Sequence, residues 1–506
     1  MKNISMKIIC VLFAFIMTFA TGCSFIPNSG GNVDYSDYET YNYDSGINKN
    51  GKALSLVKNG QSDYTIVIAD DASDREIKAA NELQENIIAS SGAYIPVIRD
   101  SSYQEGTKVI SLGNTKAYKN SGVDVSNLKY DGYTIKTVGE NVIINSNLDY
   151  GVQFGTYTFM ERFLGIRWLT STETHLPKNT DINVYECEIT EEPNFQMRYY
   201  MNGTTYFANF TGNVFFEHLK FIDHTSEWWS GEIGTNHNSS DGHSPGISKG
   251  YVNKYDVDPT DPEGRLLKDS HPEYFTDYTN TAAVTYDICF TNGINEDGTI
   301  KEGQSVASLM VDRVKKALLN DTDRTVKYLM FGHSDYSNAV CKCKTCETRR
   351  PVIKESGMYL MLANAVIREV NEWLMQEQGR TVAMVIFAYH QSFLPPAIES
   401  ENGEFEPINE YCVADKNVHV RIAPINADYT YSFMDELQDK TQMNAIEGWE
   451  ACADTFLIWD YVANYSWYYT YTPNLHYMKE NLMMYKDRLN ATYVMNQSQN
   501  AQAKLI

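Results

Sequence analysis

The chain has 506 residues, with 42 Lys and Arg against 65 Asp and Glu, for a formal charge of −23. That length excludes a mini-domain stapled by disulfides and leaves room for two or three domains, one of them a large barrel. The acidic balance argues against a nucleic-acid partner, because phosphate binding needs a basic surface. With 43% hydrophobic residues the chain is not disordered, and its 36 Tyr and 7 Trp suit sugar or peptide binding better than polyanion binding.

Lys2 and Lys7 precede an apolar run from Ile8 to Ala20. The run is too short for a span of about 20 residues and has the pattern of a secretory signal. It ends in Ala20-Thr21-Gly22-Cys23, which resembles a bacterial lipobox. Residues 1–22 then form the signal peptide and Cys23 becomes the lipidated terminus; an ordinary cleaved signal is the alternative. Residues 23–52, with many Gly, Ser, Asn, Asp and Tyr, read as a flexible tether. The expectation is an exported protein, lipid-anchored to the bacterial cell membrane and facing outward.

Residues 53–190 read as an α+β accessory domain. Tyr64–Ala69 is a short apolar strand, and Ser73 and Asp74 can cap a helix whose apolar residues Ile77, Ala80, Leu83, Ile87 and Ile88 recur at helical spacing up to Gly92. Tyr94–Ile98 and Val109–Leu112 are further strands. Gly132–Lys136 and Asn141–Asn145 form a hairpin, and a second helix runs from Gly151 to Phe163 and stops at Gly165. Asp131-Gly132-Tyr133-Thr134-Ile135, the Gly151-x3-Gly155 helix and Leu164-Gly165-Ile166-Arg167-Trp168 resemble the accessory domain before the barrel of bacterial β-hexosaminidases and α-glucuronidases. Pro193-Asn-Phe195-Gln-Met-Arg198 resembles the lead into the first barrel strand there. Arg167 and Trp168 read as packing residues between domain and barrel.

Residues 191–506 alternate strand-like and helix-like runs, which predicts a (β/α)8 TIM-type barrel. The eight strands are placed at Gln196–Met201, Ser226–Ile233, Val284–Phe290, Val326–Phe331, Val382–Ala388, Val418–Ala423, Thr455–Trp459 and Ala491–Met495. Helices are expected at Gly303–Leu319 and Ser356–Glu377. About ten residues follow the last strand, so the helix that would cover it is missing from this reading.

Barrel chemistry sits at the C-terminal ends of strands. Those ends carry acids, imidazoles, amides and aromatics, the combination a pyranose needs: a flat apolar face and a rim of hydroxyl partners. The candidate substrate-binding residues are Arg198, Trp228, His237, Asn292, His333, Tyr389, His390, Trp459 and Tyr461. The stretch His271-Pro-Glu-Tyr-Phe275, Phe290-Thr-Asn292, Asp335 followed by Cys-x-Cys-x-x-Cys, Tyr389 with Pro395-Pro396, and Trp459-Asp-Tyr461 resemble the family catalogued as domain of unknown function 4838. That resemblance implies a glycosidase-like barrel, distant kin of the family 20 hexosaminidases and family 67 α-glucuronidases.

Glycoside hydrolysis usually needs two carboxylates. Asp335 is the candidate acid, with His333 able to tune it, and Asp460 the second carboxylate. The adjacent Asp-Glu pair of hexosaminidases is absent, Ser334 standing before a lone Asp, and Asn496 falls where relatives carry Glu. A glycoside hydrolase acting on a glycan is the leading expectation. A surface lipoprotein that binds carbohydrate without cleaving it is the alternative. No cofactor is required by either. Cys341, Cys343 and Cys346 leave three readings open: a structural zinc with His333 as the candidate fourth ligand, a disulfide with one free thiol, or reduced thiols shaping a loop.

Overall fold

The computed structural model describes residues 42–170, 172–202, 213–222, 228–229, 251–276, 287–333, 340–461, 476–489 and 491–498. The described residues from Asn48 onward form one compact unit. The expected signal, Cys23, His237 and Asp335 lie outside the described residues, and of Trp228 the backbone alone is described.

Strands β1 (Ile47–Val57), β2 (Thr65–Ile68), β3 (Val97–Arg99), β4 (Val109–Leu112), β5 (Tyr133–Val138), β6 (Asn141–Ser146) and β7 (Ile182–Glu191) form a mixed sheet in the order β1-β7-β5-β6-β4-β2-β3. Helix α1 (Asp74–Ser91) starts at a reciprocal cap. Ser73 Oγ accepts from the Glu76 amide at 3.3 Å, and Glu76 Oε2 accepts from the Ser73 amide at 2.8 Å. It ends at Gly92, whose φ of 79° is left-handed. Helix α2 (Asp149–Phe159) lies on the β5–β6 hairpin so closely that side chains are excluded. A Cβ on Gly151 would stand 2.0 Å from Ser146 Oγ, and one on Gly155 2.8 Å from Ile144 Cγ2. The spaced glycines of the motif are therefore a packing requirement of this contact.

The second sheet holds β8 (Met197–Asn202), β9 (Trp228–Trp229), β10 (Tyr328–Phe331), β11 (Ala383–Ala388), β12 (Val418–Ile422), β13 (Phe456–Tyr461) and β14 (Ala491–Ser498). Every pair is parallel, and the order is β8-β14-β13-β12-β11-β10-β9. Side chains alternate between two buried faces. Leu329, Phe331, Ile386, Val420 and Ile458 pack outward against helices α3 (Val306–Asn320), α4 (Lys344–Gln378), α5 (Lys440–Cys452) and α6 (Met478–Asp487). Met330, Val385, Phe387, Leu457, Trp459 and Tyr461 pack together on the inner face. Met197 of edge strand β8 joins Tyr328 of β10 in that inner cluster, so the sheet curls around it.

Two expectations need correction. Among the described residues the segment expected as a third strand contributes none to this sheet. Trp228 pairs directly with Tyr328, which leaves no slot between β9 and β10, and Ile288 makes a single antiparallel bridge to Phe275 instead. The architecture among the described residues is thus seven parallel strands in a curled sheet, with no register joining β8 to β9 into a closed ring of eight. Helix α4 also begins twelve residues before the expected start and breaks at Lys354, whose φ of 62° and ψ of 177° are not helical. Its ammonium holds that backbone in place by donating to the Pro395 and Ala397 carbonyls at 2.7 and 2.8 Å.

The two sheets meet through polar and aromatic contacts. Arg198 of β8 pairs with the buried Asp131 beside β5 at 2.6 Å and donates to the Phe195 and Lys220 carbonyls. Trp168 stacks on His218 with ring centroids 4.3 Å apart, and His218 Nε2 lies 3.0 Å from Glu82 of α1.

Candidate functional site

The inner face of the curled sheet is polar and aromatic in layers. In the run Val418-His-Val-Arg-Ile422 the valines and isoleucine pack outward, which turns His419 and Arg421 inward. His419 lies beside Tyr328, and burial lowers its pKa to about 4, so its ring is neutral at neutral pH. Arg421 is fully buried, its guanidinium 5.3 Å from the Phe387 ring and 5.7 Å from Trp459.

Above this layer, at the C-terminal ends of β10 and β11, stand His333, Tyr389 and His390. The His333 and Tyr389 rings stack at 6.3 Å, and Tyr389 and His390 approach to 3.8 Å. His333 Nε2 is 2.6 Å from Ser392 Oγ, which donates to the Phe387 carbonyl, so Ser392 fixes the imidazole. His390 takes a left-handed φ of 45°, a strained setting for a side chain with a Cβ. Tyr461 closes the end of β13, two strands along from β11, against Tyr429. Asp287 is buried beside this group, and Gln391 Nε2 reaches its Oδ2 at 3.4 Å.

Several expected site residues take other positions. Arg198 is committed to Asp131 beside β5 and to the Phe195 and Lys220 carbonyls at the junction of the sheets, which uses its guanidinium there. Asn292 Oδ1 accepts from the Val306 amide at 2.9 Å and so caps α3. Trp459 is fully buried one layer below the strand ends, sandwiched by Phe387 and Tyr461. Asp460 alternates with Trp459 and Tyr461 and so lies on the outward face, with Ile458 and near Tyr485 of α6. It is buried, and desolvation raises its pKa to about 7 against the single amide bond from Tyr461 at 3.1 Å. That face is shared with helices, so Asp460 does not converge with His333 and Tyr389.

Sequence reasoning missed Asp287, Arg421 and Cys289. A charged residue inside an apolar run is the available signal for the first two, since burial of a charge demands a partner or a role. Cys289 had no local signal. Its sulfur lies 3.8 Å from that of Cys343 and 3.6 Å from that of Cys346, and the four sulfurs of Cys289, Cys341, Cys343 and Cys346 all lie within 4.8 Å of one another. None is paired in a disulfide. His333 is occupied by Ser392, so Cys289 and not His333 completes the group. Sulfur contacts from Cys341 and Cys346 hold the Cys289 thiol far below its ordinary range, while the Cys289 contact pushes Cys341 up to about 12.

A mixed-sheet domain joined to a curled parallel sheet, with the polar groups gathered at its strand ends, defines the class as a β/α protein with a strand-end site. The chain belongs to the family described as Domain of unknown function (DUF4838), whose model matches residues 168–505. No curated protein matches it. Among solved structures it is similar to BtGH115A, a family GH115 4-O-methyl-α-glucuronidase with specificity for decorated arabinogalactans. The TM-score is 0.45 at 12% identity, over 88% of this chain and 54% of that one. It is also similar to the N-acetyl-β-hexosaminidase of Streptomyces plicatus (TM-score 0.44, 11% identity, 89% of this chain and 83% of that one). A third is the β-N-acetylhexosaminidase of Bacteroides fragilis (0.41, 12%, 88% and 83%). The chain spans about half the length of the glucuronidase.

Proposed function

We propose that this protein takes a glycan at the C-terminal ends of β10, β11 and β13 and hydrolyses it there. The observation that carries the reading is the cluster of His333, Tyr389 and His390, with Tyr461 beside it and the buried carboxylate of Asp287 at its edge. Aromatic faces supply the apolar surface that a pyranose ring stacks on, and imidazoles with a carboxylate supply hydrogen bonds to its hydroxyls. Asp335, two residues beyond His333, is assigned the general acid. Asp287 is assigned the second carboxylate in place of Asp460, which faces the helix layer. In the cell the enzyme would be exported and held at the membrane surface by a lipid on Cys23.

The test measures sugar release from a panel of aryl-glycosides and polysaccharides. Asp335→Asn and Asp287→Asn are each expected to lower turnover by about 10²- to 10⁴-fold, with Asp460→Asn retaining activity. Unchanged turnover in both acid variants would refute the assignment.

A second reading is favoured by one observation, the outward placement of Asp460. It removes one of the two carboxylates expected from the sequence and leaves a binding cleft that captures a glycan without cleaving it. Binding on a glycan array, lost in Tyr389→Ala and unaccompanied by hydrolysis, decides for this reading.

A further inference from the structure

We propose that Cys289, Cys341, Cys343 and Cys346 bind one Zn²⁺ in a tetrahedral thiolate site that fastens the 287–292 segment to the start of α4. Cys289 comes from more than fifty residues before the other three, and four cysteines gathered at one point have no packing reason to aim their sulfurs at each other. They are within 4.8 Å of one another, and Cys289 Sγ lies 3.6 Å from that of Cys346 and 3.8 Å from that of Cys343. A Zn–S bond of about 2.3 Å in a regular tetrahedron puts the sulfurs about 3.8 Å apart. The site therefore needs at most about 1 Å of contraction along its longest edge to match that geometry. A disulfide would need two sulfurs at about 2 Å, and no pair is bonded.

The surroundings are those of a thiolate site. The Cys343 amide points at Cys341 Sγ at 3.5 Å, and the Cys346 amide at Cys343 Sγ at 3.4 Å. Cys343 is itself the N-cap of α4, where the helix dipole favours negative charge. Thr291 Oγ1 lies 3.1 Å from Cys346 Sγ and 3.5 Å from Cys289 Sγ, a hydroxyl able to donate to either sulfur. Arg350 binds the Cys341 carbonyl and Glu355, which brings a cation to the rim of the cluster. Three of the four cysteines are buried, with Cys343 half-buried. Four thiolates around one Zn²⁺ make a centre of charge −2, which the amides and the helix terminus offset. All-sulfur donors in tetrahedral array select zinc over the oxygen-seeking cations. Four protein ligands leave no open position, so the ion is structural and takes no part in chemistry.

The full chain, purified without added metal, is analysed for its elements and then titrated with a chromogenic zinc chelator after a mercurial thiol block. The result expected is about one zinc per chain, released only by the block. Cys289→Ser and Cys346→Ser lose it, and Cys187→Ala, a buried cysteine of β7 outside the cluster, keeps it. Thr291→Val, which leaves all four ligands in place, yields its zinc to chelator about 10- to 100-fold more readily; it keeps the test intact where a cysteine variant does not fold. Folded protein without zinc after reconstitution under reductant, iron in place of zinc, a disulfide among the four, or full zinc retention in Cys289→Ser would each overturn the proposal. The readout is metal content, so it stands or falls apart from the glycan reading.

Discussion

At the scale of single residues, the behaviour of Asp460 follows from desolvation. Its carboxyl is shut from water beneath α6, and burial raises its pKa from 3.8 to about 7. A raised acid binds its proton in the folded state and releases it when unfolded. The stabilisation is present below the unfolded pKa and is lost as pH climbs from about 4 to about 7. Measured against Asp460→Asn, the wild-type Tm should therefore fall across that window, since His419 and the other titrating groups contribute equally to both proteins; thermal melts of the two at unit pH steps check the difference. An equal decline in both proteins would place the cause elsewhere. The aspartate was visible in the sequence as part of Trp459-Asp460-Tyr461, but its direction was not. In a strand buried on both faces, hydrophobicity does not say which parity points inward. For β12 the parity was readable, because His419 and Arg421 interrupt an apolar run at every second position.

At the scale of elements, the helix–hairpin contact of the first sheet is set by missing side chains. Gly155 faces Ile144 and the Tyr133 ring at 2.8 to 3.2 Å from where a Cβ would stand. Gly155→Val should push α2 off β5–β6 and lower stability by about 1–3 kcal/mol in denaturant titrations. No loss of stability would mean that the helix can slide without cost. The caps of α1 were legible from Ser73 and Gly92, since capping is local chemistry. The break in α4 was half legible: the periodic pattern from Ser356 onward marks its second half. The first half is held by the cysteine cluster and by the carbonyls that bind Lys354, contacts remote in sequence.

For the molecule as a whole, the ion pair of Arg198 with Asp131 couples the two sheets. Asp131 is 3% exposed, so removing it leaves a partly buried guanidinium without its partner. Asp131→Ala should cost about 3–5 kcal/mol of stability, with glycan binding unaltered in material that remains folded. A loss of binding at unchanged stability would instead return Arg198 to the site. The curl of the second sheet also belongs to this scale. It brings Met197, Tyr328, Phe387 and Trp459, from four different strands, into one cluster and so gathers the strand ends around a common centre.

The sequence by itself determined the elements whose causes are local: α1 between its caps, the β5–β6 hairpin, seven of the eight expected parallel strands, and the family. Periodicity, turn residues and capping groups act over a few positions and can be read there. Only the tertiary structure decided what depends on distant partners. It turned Asp460 toward the helices, drew Arg198 to Asp131, left residues 287–290 out of the sheet, and brought Cys289 to the three cysteines at α4. Each of these is settled by which surfaces meet when the chain closes on itself, and that information is spread over hundreds of residues.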